Sequence, residues 1–585
     1  MLLQVLWRSR LAVRPNAPPG AFCCKLTLNV FWEAMMTAAI EFALFAPRNS
    51  EAALIGEFSE WEPVAMKKAD DGYFRTHVDL EDGRYRYKFR VRSKSFFVEE
   101  GEWLDVVDPY ATAVDDFGDG AGIIFIAGGQ RRVDTYEWRH NDTHLPPDEE
   151  LVIYELHVGD FSGGEVDTKP RGRYKHVCEK LDYLSELGVS AIELMPVTEF
   201  PGDESWGYNP RHFFAAESSY GSSAELKELV DTCHAHGIRV ILDMVCNHAE
   251  AEMPLTKIDY QYWFHVEAQD PDHNWGPEFD YGRYDEGLKV MPARKFMGDV
   301  VRFWTTEYHI DGIRFDAVKQ LGQPEFLSWL VQEAKDAAGE KPFYAIGEHI
   351  PETPEIVGPV GPMDGCWHNS FYHGITGLLA REEGKLTDVE GLLDARPRGF
   401  LGPTNLVNYL ASHDHDHLMR TLADEGIHDD EAFKRAGLGA VLTVTALGIP
   451  MIWMGTEFGE YKEKALEKNK IDWQLLSNDA NRQLCELWKG LIALRRQNGG
   501  FRAANFEFIH SDLQKGVLAF VRWNDEGSRV AVVANLSSTY HGDYLIEGFP
   551  ENGVWREWTA SYDVEVSDHR LILDLPEFEA KVLVI

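Results

Sequence analysis

Between residues 150 and 458 the sequence alternates short apolar strand signals with amphipathic helical ones, and this alternation constrains the fold more than any other feature. Residues 152–157 read as an apolar strand, 174–187 have helical spacing that stops at Gly188, and 191–197 form the next strand. Ser222-Ser223-Ala224-Glu225 has the composition of a capping box, in which Ser and Glu side chains take orphan N–H groups of a first helical turn. The helix it opens ends at Gly237. Strands at 240–245, 312–318 and 343–347 follow, with helices over 293–308 and 325–337 between them. Segments 365–371, 406–410 and 450–454 bring the strands to eight. Repeated strand–helix units of this kind predict an α/β chain whose residues 150–498 close into a (β/α)8 barrel.

The flanks differ in character. Residues 36–135 carry short, partly alternating β runs at 40–45, 52–55, 73–78 and 85–91, separated by turn signals such as Asp70-Asp71-Gly72 and Glu81-Asp82-Gly83. They predict an N-terminal β-sandwich. Residues 499–585 return to alternating strands, at 517–521 and 530–534 for example, and predict a C-terminal β-sandwich. Residues 1–35 show no coherent pattern and carry four basic residues against one acid, opposite to the acidic body. They read as disordered or as a mis-assigned start, with Met36 the true one.

The barrel expectation tells where to look for chemistry, because barrel active sites lie at the C-terminal ends of strands. The third strand ends Asp243-Met244-Val245-Cys246-Asn247-His248. The fourth reads Asp311-Gly312-Ile313-Arg314-Phe315-Asp316, the fifth ends Gly347-Glu348-His349, and the seventh ends Ser412-His413-Asp414. A lone Asp after a strand is usually a cap or turn residue; four such ends in one barrel are not explained that way. Carboxylates gathered on one rim suit the cleavage of an acetal. That reaction needs a proton on the leaving oxygen and, in retaining enzymes, a carboxylate nucleophile about 5–5.5 Å from the acid. Arg314 lies two residues before Asp316, on the same strand face, so its charge is expected to keep Asp316 ionised as a nucleophile. Glu348 is then the acid/base, and Asp414 holds sugar hydroxyls.

These four segments resemble the four signature regions of the α-amylase superfamily, glycoside hydrolase family 13, and the resemblance runs from about residue 38 to the C-terminus. It implies Asp316 as nucleophile, Glu348 as acid/base and Asp414 as transition-state stabiliser. It further implies that Asp243, His248, Arg314 and His413 contact the sugar beside the scissile bond and that Tyr208, in Trp206-Gly207-Tyr208-Asn209, stacks on it. Leu54-Ile55-Gly56-Glu57-Phe58-Ser59-Glu60-Trp61 resembles the start of a family-48 carbohydrate-binding module; Trp61 is either a sugar platform or a core residue of the sandwich. Gly455-Thr456-Glu457-Phe458-Gly459 and Ile471-Asp472-Trp473 look most like 1,4-α-glucan branching enzymes, the activity the resemblance favours. The alternatives are a malto-oligosyltrehalose trehalohydrolase, a debranching enzyme or an α-amylase. They draw on Cys246-Asn247-His248, on Trp367-His368-Asn369-Ser370-Phe371-Tyr372-His373, and on His415, which follows Asp414 where branching enzymes have Glu. A non-catalytic glucan-binding protein is a further alternative, opposed by the presence of all three acids.

Composition limits the partners. Lys+Arg 57 against Asp+Glu 96 gives a net charge of −39, which repels a nucleic-acid backbone. No run of about 20 apolar residues spans a membrane. The expected partner is an α-glucan polymer or malto-oligosaccharide. Asn247 matches a calcium ligand of typical α-amylases, but no oxygen cage surrounds it in the sequence, so no metal and no cofactor are expected. The seven Cys follow no metal or disulfide spacing and point to a reducing, cytoplasmic setting.

Overall fold

The computed structural model describes residues 37–99, 101–115, 120–163, 171–202, 204–382, 386–466 and 469–585. The segment 1–35, and the expectation attached to it, lie outside them. Eight parallel strands close into a barrel: β1 (Ile153–Leu156), β2 (Ala191–Leu194), β3 (Arg239–Met244), β4 (Gly312–Phe315), β5 (Tyr344–Gly347), β6 (Gly365–Trp367), β7 (Leu406–Asn408) and β8 (Ile449–Trp453). Closure is made by β1 pairing with β8.

Strand alternation divides the barrel into two cores. Tyr154, Leu156, Ile192, Leu194, Val240, Leu242, Ile313 and Phe315 face outward into the helix layer. Ile153, Ala191, Ile241, Ile346, Val407, Ile449 and Met451 face inward and are buried together. Each large aliphatic removed from water here contributes about 1.5–3 kcal/mol, so the lower barrel is a packed apolar plug. The helix Ser223–Ala235 begins with the expected capping box: Glu225 N–H donates to Ser222 Oγ at 3.3 Å, and Ser222 N–H to Glu225 Oε2 at 2.8 Å.

The strands expected over 191–197 and 312–318 stop at Leu194 and Phe315, and two further elements depart from the sequence pattern. The helix expected over 174–187 is two, Tyr174–Cys178 and Leu181–Leu187, because Lys180 leaves helical geometry at φ −107°, ψ 1°. The apolar positions keep helical phase across the break, so the pattern conceals it. The sixth strand stops at Trp367 rather than Phe371. His368 turns the chain into the helix Asn369–Arg381, its ring nitrogen 2.7 Å from Asn408 Oδ1, and Phe371, Ile375, Leu378 and Leu379 then pack with helical spacing.

The N-terminal domain packs a sheet containing Ala38–Phe45 and Tyr73–Leu80 against a larger one built around Gly83–Arg92. Phe42 meets Tyr87 edge-on at 5.1 Å in its core. Trp61 is not in that core: it is 37% exposed, with the Arg86 guanidinium 5.8 Å from its ring centre. Arg48 fastens this domain to the barrel through two bonds to the buried carboxylate of Asp259, at 2.6 and 2.5 Å. The C-terminal domain has a six-stranded and a two-stranded sheet around Trp555, Val533 and Leu571. Its buried Arg522 donates to Ala446 O at 2.8 Å, seating it against the barrel. Among the described residues no helix is long and apolar enough to cross a membrane.

Candidate active site

One step of two residues along five of the eight strands changes the barrel interior from apolar to ionisable. Ile153 gives way to Glu155, Ala191 to Glu193, Ile241 to Asp243, Gly312 to Arg314 and Ile346 to Glu348. Strand periodicity places both members of each pair on the same face. The inward face therefore carries a plug below and charge above, at the C-terminal ends of the strands.

Arg314 is the hub. It is fully buried. Its Nη1 donates to both oxygens of Asp243 and to Asp316 Oδ1, each at 2.9 Å, and its Nη2 lies 2.9 Å from Glu348 Oε2. The ring of Trp367 lies under the guanidinium, 4.3 Å from it. The structure thus brings Asp243, Arg314, Asp316 and Glu348 together from three strands. It also alters the expected charge balance. One guanidinium faces three carboxyls, and burial pushes Asp316 well above the usual carboxylate range, with Glu348 and Asp243 adding to the rise that Arg314 opposes. Burial raises Asp243 as well, against Arg314. Burial and the neighbouring acids thus oppose ionisation of Asp316 and Asp243, and Arg314 favours it.

His413 and Asp414 enter from the loop after β7. His413 Nδ1 lies 2.6 Å from Glu155 Oε1, and its Nε2 lies 3.4 Å from Asp414 Oδ2. Burial disfavours charge on His413, but Asp414 and Glu155 outweigh it and lift the imidazole to about 9. Burial likewise opposes charge on Asp414, yet His413, Arg314 and Lys464 hold it below the ordinary carboxylate value. The Tyr208 ring stacks on His413 at 5.0 Å, and its hydroxyl donates to Asp243 Oδ2 at 2.5 Å. Burial and the Asp243 charge keep that phenol protonated. His248 donates from Nε2 to Tyr208 O at 2.8 Å, and its Nδ1 lies 2.5 Å from Asn247 Oδ1. Burial lowers His248 to about 4, against the Tyr208 carbonyl, which favours its charged form.

These groups open onto a cleft of about 690 Å³. Tyr208, His248, Asp316, Glu348, His413 and Asp414 line it, while Asp243 and Arg314 lie beneath. Trp206, Trp275 (49% exposed) and Leu466 (65% exposed) form apolar walls, the kind of surface on which a sugar ring stacks. Several contributors were not singled out from the sequence. Glu155 is a charged residue inside an apolar strand, a signal that was available. Ala317, whose N–H donates to Glu348 Oε2 at 2.9 Å, offered no such signal. Nor did Lys464, whose Nζ lies 3.5 Å from Asp414 Oδ1 and donates to Asp414 O at 2.9 Å.

Comparison with known proteins agrees with this layout. The family described as "Alpha amylase, catalytic domain" matches residues 135–282, "Carbohydrate-binding module 48 (Isoamylase N-terminal domain)" matches 28–111, and "Alpha amylase, C-terminal all-beta domain" matches 508–584. The 1,4-alpha-glucan branching enzyme GlgB of Nocardia farcinica is 27% identical over 566 residues, covering 90% of this chain and 73% of that protein. The malto-oligosyltrehalose trehalohydrolase of Saccharolobus solfataricus is 28% identical over 458 residues, covering 72% and 74%. Among solved structures, the type I pullulanase of Bacillus subtilis complexed with maltose superposes with a TM-score of 0.78 at 22% identity, over 94% of this chain and 85% of that one.

Proposed function

Since this chain belongs to the α-amylase superfamily, glycoside hydrolase family 13, we propose that its barrel rim cleaves α-1,4 glucan by double displacement and passes the glycosyl group to a sugar 6-hydroxyl, as a 1,4-α-glucan branching enzyme. The observation that carries the chemistry is the single buried Arg314 joining Asp243, Asp316 and Glu348 at the floor of the cleft. Sharing one guanidinium favours the close carboxyl spacing that retaining enzymes use.

In the first step an Asp316 oxygen bonds to the anomeric carbon while the bond to the leaving oxygen breaks, and Glu348, as the acid, passes its proton to that oxygen. In the second, Glu348 takes the proton of the incoming hydroxyl as its oxygen displaces Asp316. Asp414, held ionised beside charged His413, stabilises the positive charge that develops on the sugar. Asp243, fixed by Arg314 and Tyr208, and His248 hold hydroxyls of the same ring, and Tyr208 and Trp206 supply its apolar platform.

Transfer rather than hydrolysis is supported by alignment with branching enzymes along nearly the whole chain. A hydrolytic reading, as trehalohydrolase or debranching enzyme, is favoured by segments 246–248 and 367–373, by alignment with a pullulanase over 545 residues, and by His415, which follows Asp414 in place of an acid and packs 3.7 Å from the Tyr372 ring. Incubation with amylose separates the two. Branching lowers iodine absorbance and creates α-1,6 linkages with few new reducing ends; hydrolysis raises reducing ends in step with the loss of colour and removes the branching assignment.

A further inference from the structure

Glu193 belongs to the upper interior layer, yet among the described residues neither of its carboxyl oxygens has a hydrogen-bond partner, although the side chain is 0% exposed. It lies on β2 in register with Glu155 on β1, so two carboxyls enter the barrel side by side from strands about 4.8 Å apart. Glu155 commits Oε1 to His413, and its Oε2 is buried and likewise without a partner. Arg314 gives its hydrogen bonds through Nη1 to Asp243 and Asp316, its Nη2 lies 2.9 Å from Glu348 Oε2, and neither its Nη2 nor its buried Nε makes a hydrogen bond to Glu193 or Glu155. Two carboxylates side by side in register, with no donor on Glu155 Oε2 or on either Glu193 oxygen, are strongly disfavoured when both are charged, and a single proton converts them into a donor–acceptor pair.

We propose that Glu193 is a positioning residue: a neutral carboxylic acid that donates its proton toward Glu155 Oε2, fixes Glu155 as the carboxylate, and so keeps His413 charged beside Asp414. Its surroundings favour the neutral form. Burial pushes the Glu193 carboxyl well above the usual range; Glu155, Asp243 and Glu348 add to this and Arg314 opposes it. The role of His413 in this chain rests on the glycosidic reading above, whereas the proton on Glu193 does not depend on it.

The test uses Glu193→Gln and Glu193→Leu in the full chain. An acid neutral in the fold and ionised in the unfolded chain makes the protein lose stability as pH rises above the ordinary glutamate value. Glu193→Gln removes that loss, so its melting temperature should gain on the wild type steadily from pH 5 to pH 8.5. A gap that is flat, or that turns against the variant as pH rises, means that Glu193 is ionised and overturns the proposal. The second readout is the alkaline limb of kcat on amylose. Gln keeps a donor and should leave the limb where it is; Leu removes the donor and should move it down by about one pH unit. Equal movement in both variants, or none in the Leu variant, overturns the positioning role. If the Leu variant does not fold, the melting comparison with Gln still decides the protonation. Wild-type protein inactive on every α-glucan sinks the glycosidic reading while the melting comparison stands.

Discussion

Ala317 donates its backbone N–H to Glu348 Oε2 over 2.9 Å and so ties the turn after β4 to the carboxyl at the end of β5. It does this from left-handed backbone, φ 47° and ψ 44°, a region that costs an L-residue roughly 1–2 kcal/mol. Glycine adopts it freely but loses more chain entropy on folding, by about 0.4–1 kcal/mol. Ala317→Gly is therefore expected to raise stability by about 0.5 kcal/mol while loosening the cradle of Glu348, seen as a small rise in melting temperature with a few-fold fall in kcat. A fall in both contradicts the strained-cradle account.

The His413 charge makes a second prediction. The folded value of about 9 lies above the unfolded 6.5, so the stability it contributes is fully present below pH 6.5 and is lost as pH rises through 9. The shift corresponds to an amount on the order of 3 kcal/mol. Between pH 6.5 and 9.5 the wild type should lose clearly more unfolding free energy than His413→Asn, and wild-type turnover should decline near pH 9. Parallel stability curves for the two proteins would show that the pairing with Asp414 and Glu155 is weak.

Trp61 supplies a third. It is 37% exposed, with the Arg86 guanidinium 5.8 Å from its ring centre, and lies outside the sandwich core, so Trp61→Ala removes little core packing. Affinity for long glucan, measured by gel retardation, should fall several-fold, with turnover of short oligosaccharides and melting temperature nearly unchanged. A drop of many degrees in melting temperature would return Trp61 to a structural role.

The eight-strand alternation was legible because each strand is a short apolar run closed by a turn signal, and the rim acids were legible because they sit at strand ends, where barrels place chemistry. Other features depended on tertiary contacts. Nothing around residue 180 disturbs the apolar spacing, so a helix broken by backbone geometry reads as continuous. Trp367 to Phe371 is aromatic enough to look like strand, although His368 has already turned the chain. Lys464 reaches Asp414 from fifty residues downstream, and no local pattern announces such a contact. The surroundings of Asp316 were only half legible for a related reason. The neighbouring Arg314 is visible in the sequence, but its division among Asp243, Asp316 and Glu348 appears only when the three strand ends meet.

That division shapes the last prediction. Because three carboxyls contend for one guanidinium, converting Asp316 to Asn or Glu348 to Gln relieves like-charge strain, and neither change empties volume. Melting temperature should hold or rise in both variants. Turnover should collapse, since Asp316→Asn removes the nucleophile and Glu348→Gln removes the proton donor, a loss of about 10²–10⁴-fold for the proton transfer alone. The two variants separate on a maltosyl fluoride, whose leaving group needs no proton. Glu348→Gln should then regain the first step but lack the base for the second, so a covalent glycosyl-enzyme accumulates; Asp316→Asn should form none. Mass spectrometry of a proteolytic digest should find the added glycosyl mass on the peptide containing Asp316. An adduct on Asp243 or Asp414, or near-normal turnover in Asp316→Asn, removes the double-displacement assignment and leaves the Arg314 cluster as a sugar-binding arrangement.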